Sequence, residues 1–371
     1  MTAITTLLQK PCAMIECDDD PEAVFDLLCA KGWSDGLPVI PPTPERVARM
    51  LTYCDRDPDQ PVIHVPPRYG AATPIRVAAN AVMAGCKPEY FPLVLLALEA
   101  LAEEQYNLYG TQATTHPCTP MLIFNGPVAR EVGLNSGHNV MGNYHRANAV
   151  IGRAVRLALV NIGAAIPGTG DMATHGTPAK YTFCVAENEA ANPWQPLHVE
   201  MGYQQDASTV TVVAAEGPHN VNDHESLNAE GILTMIAGTM ATTGSNNAYY
   251  ASQPVLALGP EHAATVAAGG MSKADVKQWL FDHATLPMHR FSPDNIARRF
   301  RRRQAEQYAN APLDTPIHMW AKPDDLIVIV AGGAGKHSQY VPTFGVTRAA
   351  TKALKRADGA LVKSVAELKR S

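Results

Sequence analysis

Short apolar runs that end in a glycine turn constrain the fold of this chain more than any other feature of its sequence. Apolar runs of four to eight residues bounded by glycine and proline are typical of buried strands. Open α/β sheets bind their ligands at the carboxyl ends of such strands. The runs are 121–124 before Gly126, 210–215 before Gly217, 255–258 before Gly259 and 326–330 before Gly332.

Helix signals between these runs predict an α/β fold with a mixed or mostly parallel sheet and flanking helices. Capping residues followed by proline predict helix starts after Asp20, Thr43 and Thr73. The strand–Gly–Pro–helix form at Gly126 and Gly259 suggests two related βα halves, although proline's preference for the first helical turn also explains it. Further helices are predicted over 87–104, 144–163, 230–240, 260–268, 273–283, 293–309 and 346–355, and further strands over 61–67, 181–186 and 208–215.

The length of 371 residues exceeds the size at which single cores usually split. We therefore predict three segments. An N-terminal helical and extended arm over 1–70 packs on the core, and a main α/β catalytic region covers 71–310. A C-terminal βα unit over 311–371 completes the sheet.

Composition restricts the partners. Charged residues make up 18% of the chain, against roughly 25% in ordinary domains, so we expect a homo-oligomer that covers part of the surface. A net charge of -5 argues against nucleic acid and acidic membranes as partners. With no long apolar run and no signal-peptide pattern, the expected location is cytoplasmic. The basic run 298–303 is interpreted as a solvated helix face or a subunit contact.

The sharpest chemical motif follows the second apolar run, over 216–225. His219, Asp223 and His224 match the spacing of the H-x-H-x-D-H motif of metallo-β-lactamase-like hydrolases, but Val221 stands at the middle histidine position. Imidazole and carboxylate suit zinc, so a divalent metal bound by His219 and His224 is a candidate cofactor. A metal-free acid–base site and simple helix capping are the open alternatives.

Other polar segments supply further candidates. His116 lies in the polar segment 109–117, which predicts either a solvent loop or a substrate loop in which His116 assists catalysis. The segment 168–178 predicts an anion-binding loop or a flexible lid. The loop 332–338 lacks the glycine spacing of a nucleotide-binding loop, yet Lys336 could balance an anionic ligand. Candidate substrate-binding residues are Asn220, Asn222, Asn246, Asn247, Lys336 and His337.

Seven cysteines without a Cys-x-x-Cys pair predict neither a disulfide framework nor a tetrahedral zinc site. Cys184 is the candidate nucleophile, because it lies on a predicted strand with Lys180 nearby. A nucleophilic thiolate needs a lowered pKa, whereas most strand cysteines are small buried hydrophobic residues. Both interpretations stay open.

Three segments, 33–38, 192–200 and 217–224, resemble a little-characterised bacterial family similar to proteins associated with UGSC-type (seleno)proteins. The resemblance extends over nearly the whole chain. It implies no particular activity and no site residues. The chain contains no Gly-Ser-Cys motif, which argues against thiol–selenol chemistry within this chain and leaves a redox partner protein as an open alternative.

These motifs together predict an enzyme that acts on a small polar, anionic metabolite by hydrolysis, hydration or elimination. A hydrolase or lyase is favoured over an oxidoreductase, with His219, Asp223 and His224 supplying acid–base chemistry or holding the metal. One alternative is a cysteine-based oxidoreductase or transferase that uses Cys184. Another is a non-catalytic metabolite-binding subunit of a larger complex, which would depend on a catalytic partner protein.

Overall fold

The computed structural model describes residues 15–250 and 252–370, which divide into two compact units. The first contains the described residues up to Glu187, His198–Ala214 and those from Ala349 onward; the second contains Asn188–Leu197 and Ala215–Arg348. The predicted boundaries at 70 and 310 do not coincide with this division. The chain passes from one unit to the other even inside a strand, where composition does not change, so the sequence carries no signal of these boundaries.

The helices follow the predicted order over most of the chain. None of those in residues 15–250 and 252–370 has both the length and the apolar character needed to cross a membrane. The α-helices are Pro21–Ala30, Pro44–Leu51, Pro74–Ala84, Phe91–Leu101, Leu108–Ala113, Pro127–Glu131, Arg146–Asn161, Leu197–Glu200, Ala229–Met240, Pro260–Ala268, Lys273–His283, Pro293–Asn295 and Ala305–Tyr308, with a π-helix at Ile296–Arg303.

The described residues form twelve strands, most of them separated by these helices. They are β1 (Ile63–Val65), β2 (Gly70–Ala72), β3 (Thr119–Asn125), β4 (Cys184–Ala186), β5 (Thr209–Ala215), β6 (His219–Asn222), β7 (Val255–Leu258), β8 (Thr285–Pro287), β9 (Pro316–His318), β10 (Ile327–Val330), β11 (His337–Val341) and β12 (Ala350–Ala353). The four apolar runs thus form β3, β5, β7 and β10, as predicted.

The first unit is built on the sheet β12-β5-β3-β4, in which β3 and β4 run parallel and β12 pairs antiparallel with β5. All residues of β3 and β5 are buried, which explains their continuous apolar character. The segment 33–38, which follows the first helix, is bound to the helix Arg146–Asn161 through Arg153. The guanidinium of Arg153 donates to both carboxylate oxygens of Asp35 at 2.7 and 2.8 Å. This ion pair joins the segment to the helix, and the packing of the whole arm on the core stays a prediction.

The second unit is built on the sheet β10-β7-β11-β6. β10 and β7 run parallel, while β11 pairs antiparallel with both β7 and β6. Its core packs side chains of β7 and β10 against the helices Ala229–Met240 and Pro260–Ala268. The fold is therefore α/β with mixed sheets, as predicted, and the relation between two βα halves stays a prediction.

Two predicted helices differ from the structure. The residues predicted as a helix over 346–355 contain β12 instead, because pairing with β5 satisfies their backbone groups. The last predicted βα unit is therefore a run of strands, β10 to β12. The helix predicted over 293–309 is interrupted by the π-helix Ile296–Arg303.

Candidate functional site

Strands β6 and β11 bring the end of β6 beside the fourth glycine turn, which precedes β11. They pair antiparallel, with His337 opposite Asn222. Side chains that lie directly opposite each other project from the same face, and alternate residues project from the other. Asn222, Asn220 and His337 therefore share an exposed face, while Val221 and Ser338 are buried on the opposite one.

Two imidazoles meet beside this face. Nε2 of His224 lies 3.2 Å from Nε2 of His337, and the rings are edge to face with centroids 5.0 Å apart. Both side chains are exposed. In a neutral pair one nitrogen must carry the proton and the other must offer its lone pair. The two rings can therefore share, accept and release a proton at the surface, which is the chemistry of a general acid and base.

A lysine and a glutamate hold the loops around the pair. Lys336 donates from Nζ to the carbonyl oxygen of His224 at 2.9 Å. Glu261 accepts from the backbone N–H of Gly335 at 2.7 Å, which fixes the loop before β11. The ammonium of Lys336 thus brings a positive charge to the backbone of His224, and this charge favours an anionic ligand.

A buried histidine that was not selected from the sequence supports both loops. Nε2 of His262 lies 3.0 Å from the carbonyl oxygen of Asp223, and Nδ1 lies 2.8 Å from Oγ of Ser338. A carbonyl only accepts, so Nε2 carries the proton and Nδ1 accepts from the Ser338 hydroxyl. Ser338 Oγ in turn accepts from the N–H of Gly259 at 3.1 Å. The signal that could have identified His262 is its position just after the third glycine turn.

Asp223 is buried at the end of β6. Its Oδ1 accepts from the backbone N–H of Ser226 at 3.0 Å, and its Oδ2 has no hydrogen-bond partner in the described part of the chain. Burial raises the pKa of this carboxyl, but hydrogen bonds from the side chain and backbone of Ser226 and from the backbone of Glu225 outweigh burial and lower the pKa overall. The carboxylate is therefore ionised at neutral pH and keeps one oxygen available for a donor.

His219 does not join this arrangement. It lies opposite Tyr340 in the register, so it projects from the face of Val221, away from that of His337. His224 therefore lies beside His337 and not beside His219, its predicted partner at a metal site. Side chains alternate between the two faces of a strand, so His219 and Asn222, three residues apart on β6, project from opposite faces. Within residues 15–250 and 252–370, no group of three or more His, Cys, Asp or Glu side chains could hold a metal ion.

The two asparagines that follow Ser245 bind backbone rather than face an open site. Oδ1 of Asn246 accepts from the N–H of Gly345 at 2.7 Å. Asn247 is buried, and its Oδ1 accepts from the N–H of Thr343 at 2.9 Å while its Nδ2 donates to Ser252. These bonds engage both amide atoms of Asn247 and the Oδ1 of Asn246, which disfavours the predicted role of both residues in substrate binding.

Cys184 and His116 belong to the first unit, whereas the histidine pair belongs to the second. Cys184 begins β4 and is buried, and burial strongly raises the pKa of its thiol. A protonated thiol is the opposite of what a nucleophile requires. Lys180, expected beside Cys184, lies in a 3₁₀ turn and bonds to Asp171. The structure therefore disfavours the nucleophile prediction.

A buried charge cluster in the first unit involves the segment 168–178. Oδ2 of Asp171 lies 2.5 Å from Nζ of Lys180 and 3.8 Å from a guanidinium nitrogen of Arg156. Burial lowers the pKa of Arg156, and the charge of Asp171 opposes that effect. One carboxylate therefore compensates two cations inside the unit. The segment is held in place by this cluster, which does not fit the predicted flexible lid.

Gly259 has no room for a side chain, and Gly259→Ala is expected to disrupt the histidine pair. A Cβ at this position would overlap the backbone carbonyl oxygen of His337, so β11 must shift. We expect the free energy of unfolding to fall by about 1–3 kcal/mol and the imidazole NMR signals of His224 and His337 to change. Gly244→Ala is the matched control, since a Cβ there meets nothing within 4 Å. Unchanged imidazole signals in Gly259→Ala would contradict the packing argument.

Comparisons with protein-family models, curated proteins and solved structures found no match for this chain. The fold and site define an α/β protein with a paired-histidine site at the surface of a mixed sheet. The resemblance to the family associated with UGSC-type (seleno)proteins stays a prediction.

Proposed function

We propose that this chain is an enzyme that moves protons on a small anionic metabolite, with His224 and His337 as its acid and base. The observation that carries the proposal is the 3.2 Å separation of the two Nε2 atoms on an exposed face. Hydrolysis, hydration and elimination all require one proton to be removed and another to be delivered. Two imidazoles that exchange a proton can perform both transfers, since imidazole titrates near neutral pH.

The surroundings of the pair support an anionic ligand with a hydroxyl group. Lys336 places an ammonium at the backbone of His224, where a carboxylate or phosphate would bind. Asn222 lies opposite His337 and can donate to or accept from a ligand. In an elimination, one imidazole would take the proton from the carbon next to the carboxylate while the other protonates the departing hydroxyl. A C–H and a C–O bond break, a C=C bond forms, water leaves, and no oxidant or reductant is required.

The test uses purified protein with a panel of small hydroxy acids and carboxylic esters in D₂O, followed by ¹H NMR. Exchange of the C–H next to the carboxylate, loss of the hydroxyl or ester cleavage distinguishes the reaction types. We expect His224→Gln and His337→Gln each to lower the rate by about 10²–10⁴-fold, the usual contribution of a general acid or base. His289→Gln is the control, because this exposed histidine lies elsewhere in the same unit.

Two outcomes would reject the proposal: no turnover across the panel, or full rates in both variants of the pair. The same assay with a chelator tests the predicted divalent metal, since turnover that is lost on chelation and restored by zinc would favour the metal alternative. The predicted homo-oligomer, cytoplasmic location and partner protein stay predictions. Light scattering on purified protein tests the first of them.

A further inference from the structure

A cationic pocket in the second unit lies beside the arginine-rich π-helix. Its volume is about 320 Å³, which lies in the range of small-molecule sites, roughly 300–1,000 Å³. Its walls include Tyr249, Tyr250, Arg298, Arg299 and Arg303. The sequence interpretation of this run as a solvated face or a subunit contact did not include a pocket. The pocket is independent of the histidine pair.

The π-helix explains why these arginines converge. Residues five apart in an α-helix are separated by about 140° around the axis, since each residue turns about 100°. The i→i+5 hydrogen bonding of a π-helix instead brings residues five apart to the same side. Ile296–Arg303 is a π-helix, so Arg298 and Arg303 both line the pocket. Such segments are rare and frequently occur at functional sites.

Aromatic packing makes the pocket wall rigid. The ring of Tyr249 stacks on Phe300 at 6.3 Å and its hydroxyl donates to the carbonyl oxygen of Thr243 at 2.6 Å. The guanidinium of Arg299 lies 4.1 Å from the ring centroid of Tyr250, an orientation typical of a cation–π contact. Nε of Arg299 has no hydrogen-bond partner among residues 15–250 and 252–370. The cation–π contact thus fixes the orientation of this guanidinium in the pocket wall.

The charge of the pocket determines the ligand class. Three guanidinium groups line it, while the carboxylate of Asp294 lies 3.7 Å from Arg298. Both partners of that ion pair are largely exposed, so it compensates little of the charge. We propose that this pocket binds a multivalent oxyanion, the phosphate or pyrophosphate group of a small metabolite. Guanidinium groups match phosphate oxygens in planar, bidentate geometry, and a phosphate brings the double charge that one carboxylate lacks.

Isothermal titration of the full chain with inorganic pyrophosphate, at fixed ionic strength, tests the proposal. We expect one-to-one binding that weakens at least tenfold in Arg298→Gln and in Arg303→Gln. Arg302→Gln is the matched control, since this exposed arginine belongs to the same run but does not line the pocket. Titration with citrate separates phosphate from carboxylate recognition, and weaker binding of citrate is expected. Arg303→Lys keeps the positive charge but removes the paired N–H donors of the guanidinium. We therefore expect this variant to bind pyrophosphate with intermediate affinity.

Absence of pyrophosphate binding to the unaltered chain would overturn the proposal, as would an equal loss of affinity in Arg302→Gln. If Arg298→Gln and Arg303→Gln instead dissociate an oligomer and leave pyrophosphate binding unchanged, the run is a subunit contact and the proposal is wrong. Circular dichroism of each variant checks that it is folded. His337→Gln should bind pyrophosphate normally, which keeps this result separate from that of the histidine pair.

Discussion

Asp171→Asn is expected to lower the free energy of unfolding by about 3–5 kcal/mol, the cost of leaving a buried charge uncompensated. Asp171 and Arg156 are 6% and 8% exposed, and Lys180 completes the cluster. The amide keeps the shape of the side chain but removes the negative charge. The buried guanidinium of Arg156 and the half-buried ammonium of Lys180 would then lose this counter-ion, and water would stabilise the guanidinium less than it does in the unfolded chain.

Urea unfolding followed by circular dichroism measures this effect. Asp206→Asn is the control, because Asp206 also lies 2.5 Å from a lysine, Lys363, but both side chains are more than half exposed. We expect no measurable change in that variant, since solvent already screens the pair. Equal stability of the Asp171 and Asp206 variants would show that burial does not decide the strength of these ion pairs.

Gly126→Ala is expected to lower the free energy of unfolding by about 3 kcal/mol, the sum of backbone strain and steric overlap. Gly126 has φ 92° and ψ −176°, a backbone conformation that is essentially restricted to glycine and costs a residue with a Cβ about 1–3 kcal/mol. A Cβ there would also overlap the carbonyl oxygen of Ala207 and lie 2.7 Å from Cα of Ser208. Both are backbone atoms, so a simple change of side-chain rotamer cannot relieve the overlap.

Gly133→Ala separates these two contributions. Gly133 also has positive φ, at 74°, but a Cβ there meets nothing within 4 Å. We expect this variant to lose only the strain component, about 1–2 kcal/mol. Thermal and urea unfolding of both variants measure the difference. A loss in Gly133→Ala as large as that in Gly126→Ala would mean that conformation alone accounts for the effect and that the approach of Ala207 is unimportant.

Local signals predicted most helices and all four strands of the apolar runs. The side chains of Asp20, Thr43 and Thr73 accept hydrogen bonds from the first turns of their helices, as their capping positions indicate. The run before Gly259 forms β7, Val255–Leu258, with the predicted bounds. These features depend on interactions between residues that are neighbours in the chain. They can therefore be predicted from the sequence without knowledge of the fold.

Features that depend on distant partners were not predictable in this way. β12 forms because β5 lies beside it, and the helix-forming composition of 346–355 gave no sign of that neighbour. His219 and His337 both follow glycine turns, yet only the register of β6 with β11 shows that they project from opposite faces. The role of His262 likewise depends on Ser338, a partner far along the chain.

The amino-acid sequence by itself determined the α/β class, the strands of the apolar runs and the capped helix starts, because each follows from interactions within a few residues. Only the tertiary structure decided which histidine pairs with His224, that Cys184 is a buried thiol and that Arg298, Arg299 and Arg303 line a pocket. Strand register, burial and the pitch of a π-helix set these properties. Strand register and burial depend on how distant segments of the chain pack together, so local residue patterns do not predict them.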